Sequence, residues 1–166
     1  MFDVALMGTL VYEVRVQVDN RDTKSVFAGY SSENDVAESP ICVGSTTTIT
    51  LTAANQCGFL FDHSLDEGDM WYIVYNGGTT TGITVAATNE TGVNLVAGEW
   101  DILRVEIDPN GTARWLVNGD IKKTITGAVS TTANLAAQLT LQADGASEEL
   151  LFVDYFLARA NRDWTR

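Results

Sequence analysis

The spacing of three carboxylates is the feature of this sequence that comes nearest to a catalytic motif. Glu33, Asp35 and Glu38 follow one another at intervals of two and three residues. Alternate residues of a β-strand point to one face, and two carboxyl groups about 5–5.5 Å apart can serve as nucleophile and general acid in glycoside hydrolysis. Here serines precede the acids and a Ser-Pro pair follows them. These flanks predict a polar loop, so we expect no catalysis from this cluster.

Other reactive side chains form weaker patterns. The single histidine, His63, stands among four acidic residues: Asp62, Asp66, Glu67 and Asp69. These acids lack the ligand spacing of a calcium loop, so we expect a solvated surface there. Cys42 and Cys57 lack the spacing of a zinc site, and we expect two reduced, buried thiols. No phosphate-binding or dinucleotide-binding glycine motif is present. We therefore expect no cofactor and no metal.

Three of the four tryptophans lie in or beside strand-like segments. Core packing is the expectation for Trp71, Trp100 and Trp115, because large aromatic side chains dominate protein cores. The alternative for each of the three is an exposed aromatic shelf for sugars. A glycan-binding module would use side chains such as Trp71, Tyr75 and Asn76 on a concave sheet. Both interpretations remain open at the level of sequence.

The fourth tryptophan, Trp164, lies near the end of the sequence among three arginines. These four residues are a candidate interface with another subunit: Arg159, Arg162, Trp164 and Arg166. Trp and Arg are the residues most enriched at binding hot spots, and the arginine fork pairs well with carboxylates. The alternative is that the short tail, residues 158–166, folds back over its own domain.

The elements that must position these residues are predicted to be β-strands. Helical periodicity is nearly absent, and runs rich in Val, Ile, Thr, Tyr and Trp alternate with Gly, Asn and Asp clusters. The predicted strands are Leu10–Asp19, Ser25–Tyr30, Thr46–Thr52, Cys57–Phe61, Met70–Tyr75, Gly82–Thr88, Trp100–Asp108, Thr112–Val117, Ile121–Thr126, Ala137–Ala143 and Glu149–Ala160.

Alternation and turn residues predict how these strands assemble. A Pro-Asn-Gly turn after Asp108 and the Asn118-Gly119 pair join three strands into a meander. Leu103, Val105 and Ile107 alternate with charged residues, as expected of a strand with one buried face. About eleven such strands predict an all-β, antiparallel, two-sheet sandwich. The last strand is apolar on both faces, so we expect it to be central, and residues 127–134 should form a long crossing loop.

Composition restricts the class of protein. The 166 residues are 45% hydrophobic, and we expect one domain spanning 1–166. A net charge of −12 argues against partners such as nucleic acid or an anionic membrane. Lys and Arg are absent from residues 25–103, which carry ten acidic residues. No apolar run approaches a membrane span, and the N-terminus does not look like a signal peptide, so we expect folding in a cytoplasm.

Two segments carry a resemblance to a known family. The run EWDILRVEIDPNGTARWLVNGDIKKTI, beginning at Glu99, resembles the concanavalin A-like jelly-roll superfamily. The run LLFVDYFLARANR, residues 150–162, is similar to the final strand of that fold in tailed-phage structural proteins. The resemblance implies a jelly-roll sandwich. The catalytic acids and sugar-binding loops of the enzymes and lectins that share this fold do not map onto the sequence.

The resemblance also implies a function. We expect a non-enzymatic phage virion protein, of the capsid decoration or cement type, located on the capsid surface. Its partners would be the major capsid protein and further copies of itself, with a trimer favoured. In that setting the four residues around Trp164 would contact the capsid or a neighbouring subunit. The alternatives are a lectin-like module that recognises host glycans, and a hydrolase that uses the Glu33 cluster.

Overall fold

The computed structural model describes residues 1–33, 40–145 and 148–161, which form thirteen β-strands and one short 3-10 turn, Ala86–Thr88. The strands are β1 (Phe2–Asp3), β2 (Leu10–Val18), β3 (Lys24–Ser31), β4 (Cys42–Ser45), β5 (Thr48–Leu51), β6 (Gln56–Asp62), β7 (Met70–Asn76), β8 (Glu90–Asn94), β9 (Trp100–Ile107), β10 (Ala113–Val117), β11 (Asp120–Ile125), β12 (Asn134–Ala143) and β13 (Leu151–Arg159). No described helix is long and apolar enough to cross a membrane.

Two antiparallel sheets pack face to face. One has six strands in the order β1-β12-β3-β6-β7-β8, and the other has five in the order β11-β10-β9-β2-β13. Their inward side chains form one apolar cluster, in which Tyr12, Trp71 and Trp115 are fully buried. The Trp115 Nε1–H donates to the carbonyl oxygen of Gly58 at 2.8 Å, which ties the two sheets together across the core. The predicted two-sheet jelly-roll sandwich is confirmed.

A second apolar cluster lies on the outer side of the six-stranded sheet. The hairpin formed by β4 and β5, together with its flanking loops, packs on this side. Ile49 of the hairpin and Leu60 and Tyr72 of the sheet are buried in this cluster. The buried Asp62 carboxylate accepts a hydrogen bond from the Gly44 backbone N–H at 2.7 Å, which attaches the hairpin to β6. We call this outer side of the six-stranded sheet the covered face.

Most predicted strands are present within a few residues, and two differ. The segment predicted as a strand over 82–88 contains the 3-10 turn instead. Three observed strands were not predicted: β1, β4 and β8. The Thr-rich segment 46–52 holds only β5, which pairs with β4 in the separate hairpin. Residues 126–133 connect β11 of one sheet to β12 of the other, so the predicted crossing loop is confirmed.

The last strand differs in its surroundings. We expected the final strand to be central and covered on both sides, but β13 lies at the edge of the five-stranded sheet and pairs only with β2 among the described strands. Its large apolar side chains are half-exposed, including Phe152, Phe156 and Leu157. Apolar residues on both faces of a strand therefore indicated an open edge here rather than burial.

Candidate functional site

The outward side chains of the five-stranded sheet form a second outer surface, which we call the open face. Cross-strand pairing arranges this face in rows that run from β13 towards β11. The rows are Arg159, Val11, Glu106, Arg114 and Thr124; then Leu157, Glu13, Arg104, Leu116 and Ile121; then Tyr155, Arg15 and Ile102; and finally Phe152, Gln17 and Trp100.

A ladder of ion pairs occupies the first two rows. Arg104 donates to Glu13 at 3.1 Å and to Glu106 at 2.6 Å. Arg114 donates to Glu106 at 3.2 Å and to Asp108 at 2.7 Å. Because each arginine bridges two carboxylates, charge-assisted hydrogen bonds connect all five side chains of the ladder.

The ladder changes the acidity of its members. The Arg114 guanidinium beside Asp108 holds the pKa of that carboxyl below its usual range. Partial burial raises the pKa of Glu106, but the hydrogen bonds from Arg104 and Arg114 outweigh that effect and the pKa is lowered. Both carboxylates are therefore ionised at neutral pH. Glu106 is suited to accept hydrogen bonds and not to donate a proton.

Aromatic side chains lie at the opposite end of the open face. The Trp100 side chain is 36% exposed, and the Arg15 guanidinium lies 4.9 Å from the centre of its ring. Phe152 lies in the same row as Trp100 with Gln17 between them, so the two aromatic residues stand two strand spacings apart, about 10 Å. In the next row the Tyr155 hydroxyl donates to Glu13 at 2.8 Å. Desolvation and this bond to Glu13 raise the pKa of Tyr155.

Two shallow hollows border the ladder. One of about 420 Å³ is lined by Glu13, Arg104, Tyr155 and Asn118, among others. The other, of about 400 Å³, is lined by Arg104, Glu106 and Arg159, with Thr9 and Val11. Polar groups that are fixed in place and aromatic rings that are partly exposed thus occur together on the open face.

The predicted interface residues are only partly described by the structure. Arg159 is the last residue of β13, is exposed, and lines the 400 Å³ hollow. Arg162, Trp164 and Arg166 lie outside the described residues, as do Asp35 and Glu38 of the carboxylate cluster. Glu33 follows β3, and its backbone N–H donates to the Ser31 hydroxyl at 3.0 Å.

The predictions for the other tryptophans have mixed outcomes. Core packing is confirmed for Trp71 and Trp115, and it is wrong for Trp100, which lies on the open face. The alternative sugar shelf of Trp71, Tyr75 and Asn76 is wrong as well. Trp71 and Tyr75 point into the core, and the Asn76 side chain donates to the carbonyl of Ala53 at 3.1 Å.

The residues considered for metal or thiol chemistry lie apart from the open face. The His63 ring lies 3.4 Å from Asp144 and 3.8 Å from Asp62, at the side of a polar loop. Among the described residues, no group of three or more His, Cys, Asp or Glu side chains could hold a metal ion. Cys42 and Cys57 are buried as predicted, and burial raises the pKa of both thiols.

The sequence contained signals for part of the open face. Alternation had already placed Glu13, Arg15 and Gln17 opposite the buried valines of β2. Alternation could not indicate that Tyr155 and Phe152 join them, because the residues of β13 do not alternate between polar and apolar. The pairing of β13 with β2 is also distant in sequence: Arg15 and Asp154, which form an ion pair, are 139 residues apart.

Comparison with solved structures places the chain among the jelly-roll sandwiches of the concanavalin A-like type. No family model and no curated protein matches the sequence. A family 7 alginate lyase, A1-II′, has a TM-score of 0.57 at 11% identity, over 96% of this chain and 64% of that chain. This chain therefore spans less than two thirds of that enzyme.

Two further enzymes have the same fold. An alginate lyase from Pseudomonas aeruginosa has a TM-score of 0.53 at 11% identity, covering 96% of this chain and 68% of the lyase. A β-glucanase from Bacillus licheniformis has a TM-score of 0.53 at 15% identity, covering 93% of this chain and 67% of the glucanase. At these identities the similarity establishes the fold.

These findings correct two predictions made from the sequence. The similar structures are polysaccharide lyases and a glucanase, which contradicts the prediction of a capsid decoration protein. They also contradict the prediction that the chain is not an enzyme. The resemblance of the sequence to phage structural proteins therefore held for the fold and not for the role.

Proposed function

We propose that this protein is a carbohydrate-active β-sandwich that binds a neutral polysaccharide on its open face. The observation that carries the proposal is the row of Phe152, Gln17 and Trp100 beside the ion-pair ladder. Two partly exposed aromatic residues about 10 Å apart offer apolar surfaces to two sugar rings of one chain. The fixed polar groups of the next rows can bond the hydroxyls.

The accessibility of the two outer faces supports this choice of surface. The β4–β5 hairpin covers the outer side of β6 and β7, where Leu60, Tyr72 and Val74 are buried. A long polymer has no route across that side. On the open face, by contrast, no described segment crosses the five strands, and two hollows border the ladder.

The charges support a neutral polymer over a polyuronate. The chain carries a net charge of −12, which repels an anionic polymer. Arg15, Arg104 and Arg114 are the central arginines of the open face, and each is already paired with at least one carboxylate. A uronate would have to displace those partners, whereas sugar hydroxyls can bond the paired groups without breaking them.

A second candidate function is cleavage of the bound polymer. Glu13 and Glu106 both bond to Arg104, so two carboxylates lie on either side of one guanidinium. Glu13 also accepts the Tyr155 hydroxyl. Paired carboxylates are the usual catalytic groups of glycoside hydrolysis. In this arrangement Glu106 would be the ionised partner, because its pKa is lowered.

Affinity electrophoresis in gels that contain one polysaccharide each tests the proposal. We expect retardation by a neutral β-glucan and none by alginate. Trp100→Ala should weaken retardation by about 10-fold, since loss of one stacking ring removes about 1.4 kcal/mol or more. Val43→Ala is the matched control, because Val43 is an exposed apolar residue on the hairpin of the covered face.

The same polymers serve to test cleavage. Reducing ends and unsaturated products are measured after incubation with the wild-type protein and with Glu106→Gln. Product that disappears in Glu106→Gln supports cleavage on the open face. Retardation by alginate and not by glucan, or retardation that Trp100→Ala leaves unchanged, would show that the binding proposal is wrong.

A further inference from the structure

The two edges of the five-stranded sheet differ in a way that the glycan proposal does not explain. The edge strand β11 carries charged residues at Asp120, Lys122 and Lys123. Natural sheets place charges on edge strands to prevent pairing with another chain. The edge strand β13 has nine residues, and its second half exposes Phe156 at 45% and Leu157 at 40%. Among the described residues, β11 therefore carries a cluster of charges, whereas the second half of β13 carries only Arg159.

The side of the sandwich at β13 includes both sheets. Across the core β2 contacts β3, so their neighbours β13 and β12 lie on the same side of the sandwich. Strand β12 contains no charged residue, and Leu141 near its end is 36% exposed. This side therefore combines the edge of β13 with the part of β12 that lies beyond its short pairing with β1, and both carry partly exposed apolar side chains.

The start of β13 is held firmly in place. The buried Lys24 ammonium lies 2.8 Å from a Glu149 carboxylate oxygen and donates to the Leu150 carbonyl at 3.2 Å. Lys24 also pairs with Asp19, which follows β2. Burial alone lowers the pKa of Lys24, but its hydrogen bonds to the carboxylates of Asp19 and Glu149 outweigh that effect and raise the pKa, so the ammonium is charged at neutral pH. The chain that leads into β13 is thus fixed in place.

We propose that the occupant of this edge is a second copy of the same chain, paired antiparallel through the second half of β13. A register shift between Val153 and Tyr155 interrupts the strand, so the regular segment is Tyr155–Arg159. Two-fold pairing centred on this segment places Leu157 against Leu157. It also sets Tyr155 opposite Arg159, and Phe156 opposite the small Ala158.

Charge favours a second copy at this edge over other parts of the surface. A body with a net charge of −12 repels another copy of itself at most contact points. Strand β12 is uncharged, and β13 carries only Asp154 and Arg159, which are of opposite sign. Asp154 is already paired with Arg15 at 2.7 Å. Arg159 has no ion pair among the described residues and gains Tyr155 of the other copy.

The length of the paired segment sets the size of the interface. The five residues Tyr155–Arg159 extend about 17 Å, and two packed sheets with their side chains are roughly 20 Å thick. Each copy would bury about 340 Å², and the interface would total about 700 Å², the size of a weak, reversible association. The five-stranded sheets would then join into one, and the two open faces would become continuous.

Light scattering coupled to size-exclusion chromatography tests the pairing. We expect the wild-type protein to have twice the chain mass of 18.0 kDa at high micromolar concentration. Leu157→Asp places two carboxylates at the two-fold axis and should weaken association at least about 10-fold. Ile121→Asp is the matched control, because Ile121 is an exposed residue of the other edge strand and should leave the dimer intact.

A cysteine at the axis tests the register. Under mild oxidation Leu157→Cys should give a disulfide-linked dimer on a non-reducing gel, whereas Ile121→Cys should not. Circular dichroism establishes that each variant is folded. A monomeric wild-type protein, a trimer, or a folded Leu157→Asp variant that stays dimeric would each overturn the proposal. A wild-type protein that is dimeric but binds no polysaccharide would contradict only the proposed function.

Discussion

The two outer faces of this sandwich differ in how their side chains are held: one face is covered by a hairpin, and the other is exposed. On the covered face β6 and β7 present the apolar residues Leu60, Tyr72 and Val74, and a separate hairpin buries them under Ile49 and its neighbours. On the open face charged and aromatic side chains lie among a few aliphatic ones, and arginines bridge carboxylates in a ladder. The covered face is stabilised by apolar burial. On the open face, ion pairs hold the side chains in place and leave them accessible to a ligand.

The difference indicates where each face can tolerate change. Buried apolar contacts lose several kcal/mol when a side chain is truncated, because the cavity does not fully close. Exposed ion pairs contribute little, because water competes for both partners. Selection for a ligand can therefore alter the open face at low cost to folding, whereas changes on the covered face affect the fold first.

The largest expected effect comes from comparing a leucine-to-alanine substitution on the covered face with one on the open face. Leu60 is fully buried under the hairpin, and Leu116 points outward beside the ladder on β10. We expect Leu60→Ala to lower the free energy of unfolding by about 3 kcal/mol and Leu116→Ala by less than about 1 kcal/mol. Urea denaturation of the two variants measures the contrast. Equal losses would mean that the hairpin does not bury the covered face in solution.

The next effect concerns how the hairpin is attached. Asp62 accepts the Gly44 N–H at 2.7 Å and the Ser64 N–H at 2.9 Å, and its side chain is buried. Asp62→Ala leaves a buried backbone donor without its partner, which should cost about 1–3 kcal/mol. Asp120→Ala is the control, because the Asp120 side chain is exposed on β11. Hydrogen exchange should show faster exchange at Gly44 in the first variant only.

The sequence predicted the class of the fold well because the signals are local. Alternating residues in β2, β9 and β10 and the turns at Asn118-Gly119 and after Asp108 identify strands and hairpins without any tertiary information. The sequence could not assign β13, because a strand that is apolar on both faces fits a central position and an open edge equally well. Only pairing partners distinguish the two positions, and those are distant in sequence.

The candidate site was predicted less well for the same reason. Alternate residues of a strand point to the same face, and Trp100 is an even number of residues from Arg104 and Glu106. The alternation in β9 therefore already placed Trp100 with these two residues on the outer side. A general preference of tryptophan for cores led to the wrong assignment. The ladder depends on the registers of β9 with β2 and with β10, which link residues as far apart as Glu13 and Arg104. No pattern within one strand carries that information.

Acid should weaken the open face selectively. Arg114 lowers the pKa of Asp108, so this carboxylate stabilises the fold above its unfolded pKa, about 3.9, and the contribution is lost as pH falls through the lower folded value. Glu106 behaves in the same way. Arg114→Gln should therefore cost about 1 kcal/mol at pH 7 and progressively less below about pH 4. Urea denaturation at pH 7 and pH 3 measures this. If the loss of stability in Arg114→Gln did not depend on pH, the assignment of the ion pairs to Asp108 and Glu106 would be contradicted. Lys122→Gln is the control, and we expect its effect on stability not to change between pH 7 and pH 3.

The smallest expected effect on stability concerns the residue on which the proposed binding depends most. The Trp100 side chain is 36% exposed, and its described contact on this face is with the Arg15 guanidinium at 4.9 Å. An exposed cation–π pair contributes about 0.5–1 kcal/mol, so Trp100→Ala should change the free energy of unfolding by no more than about 1 kcal/mol. Trp71→Ala, in the core, should cost about 3–5 kcal/mol. Thermal unfolding of both variants measures the contrast. If Trp100→Ala unfolds as readily as Trp71→Ala, this tryptophan serves the fold, and weaker polysaccharide binding by that variant would no longer identify a binding residue.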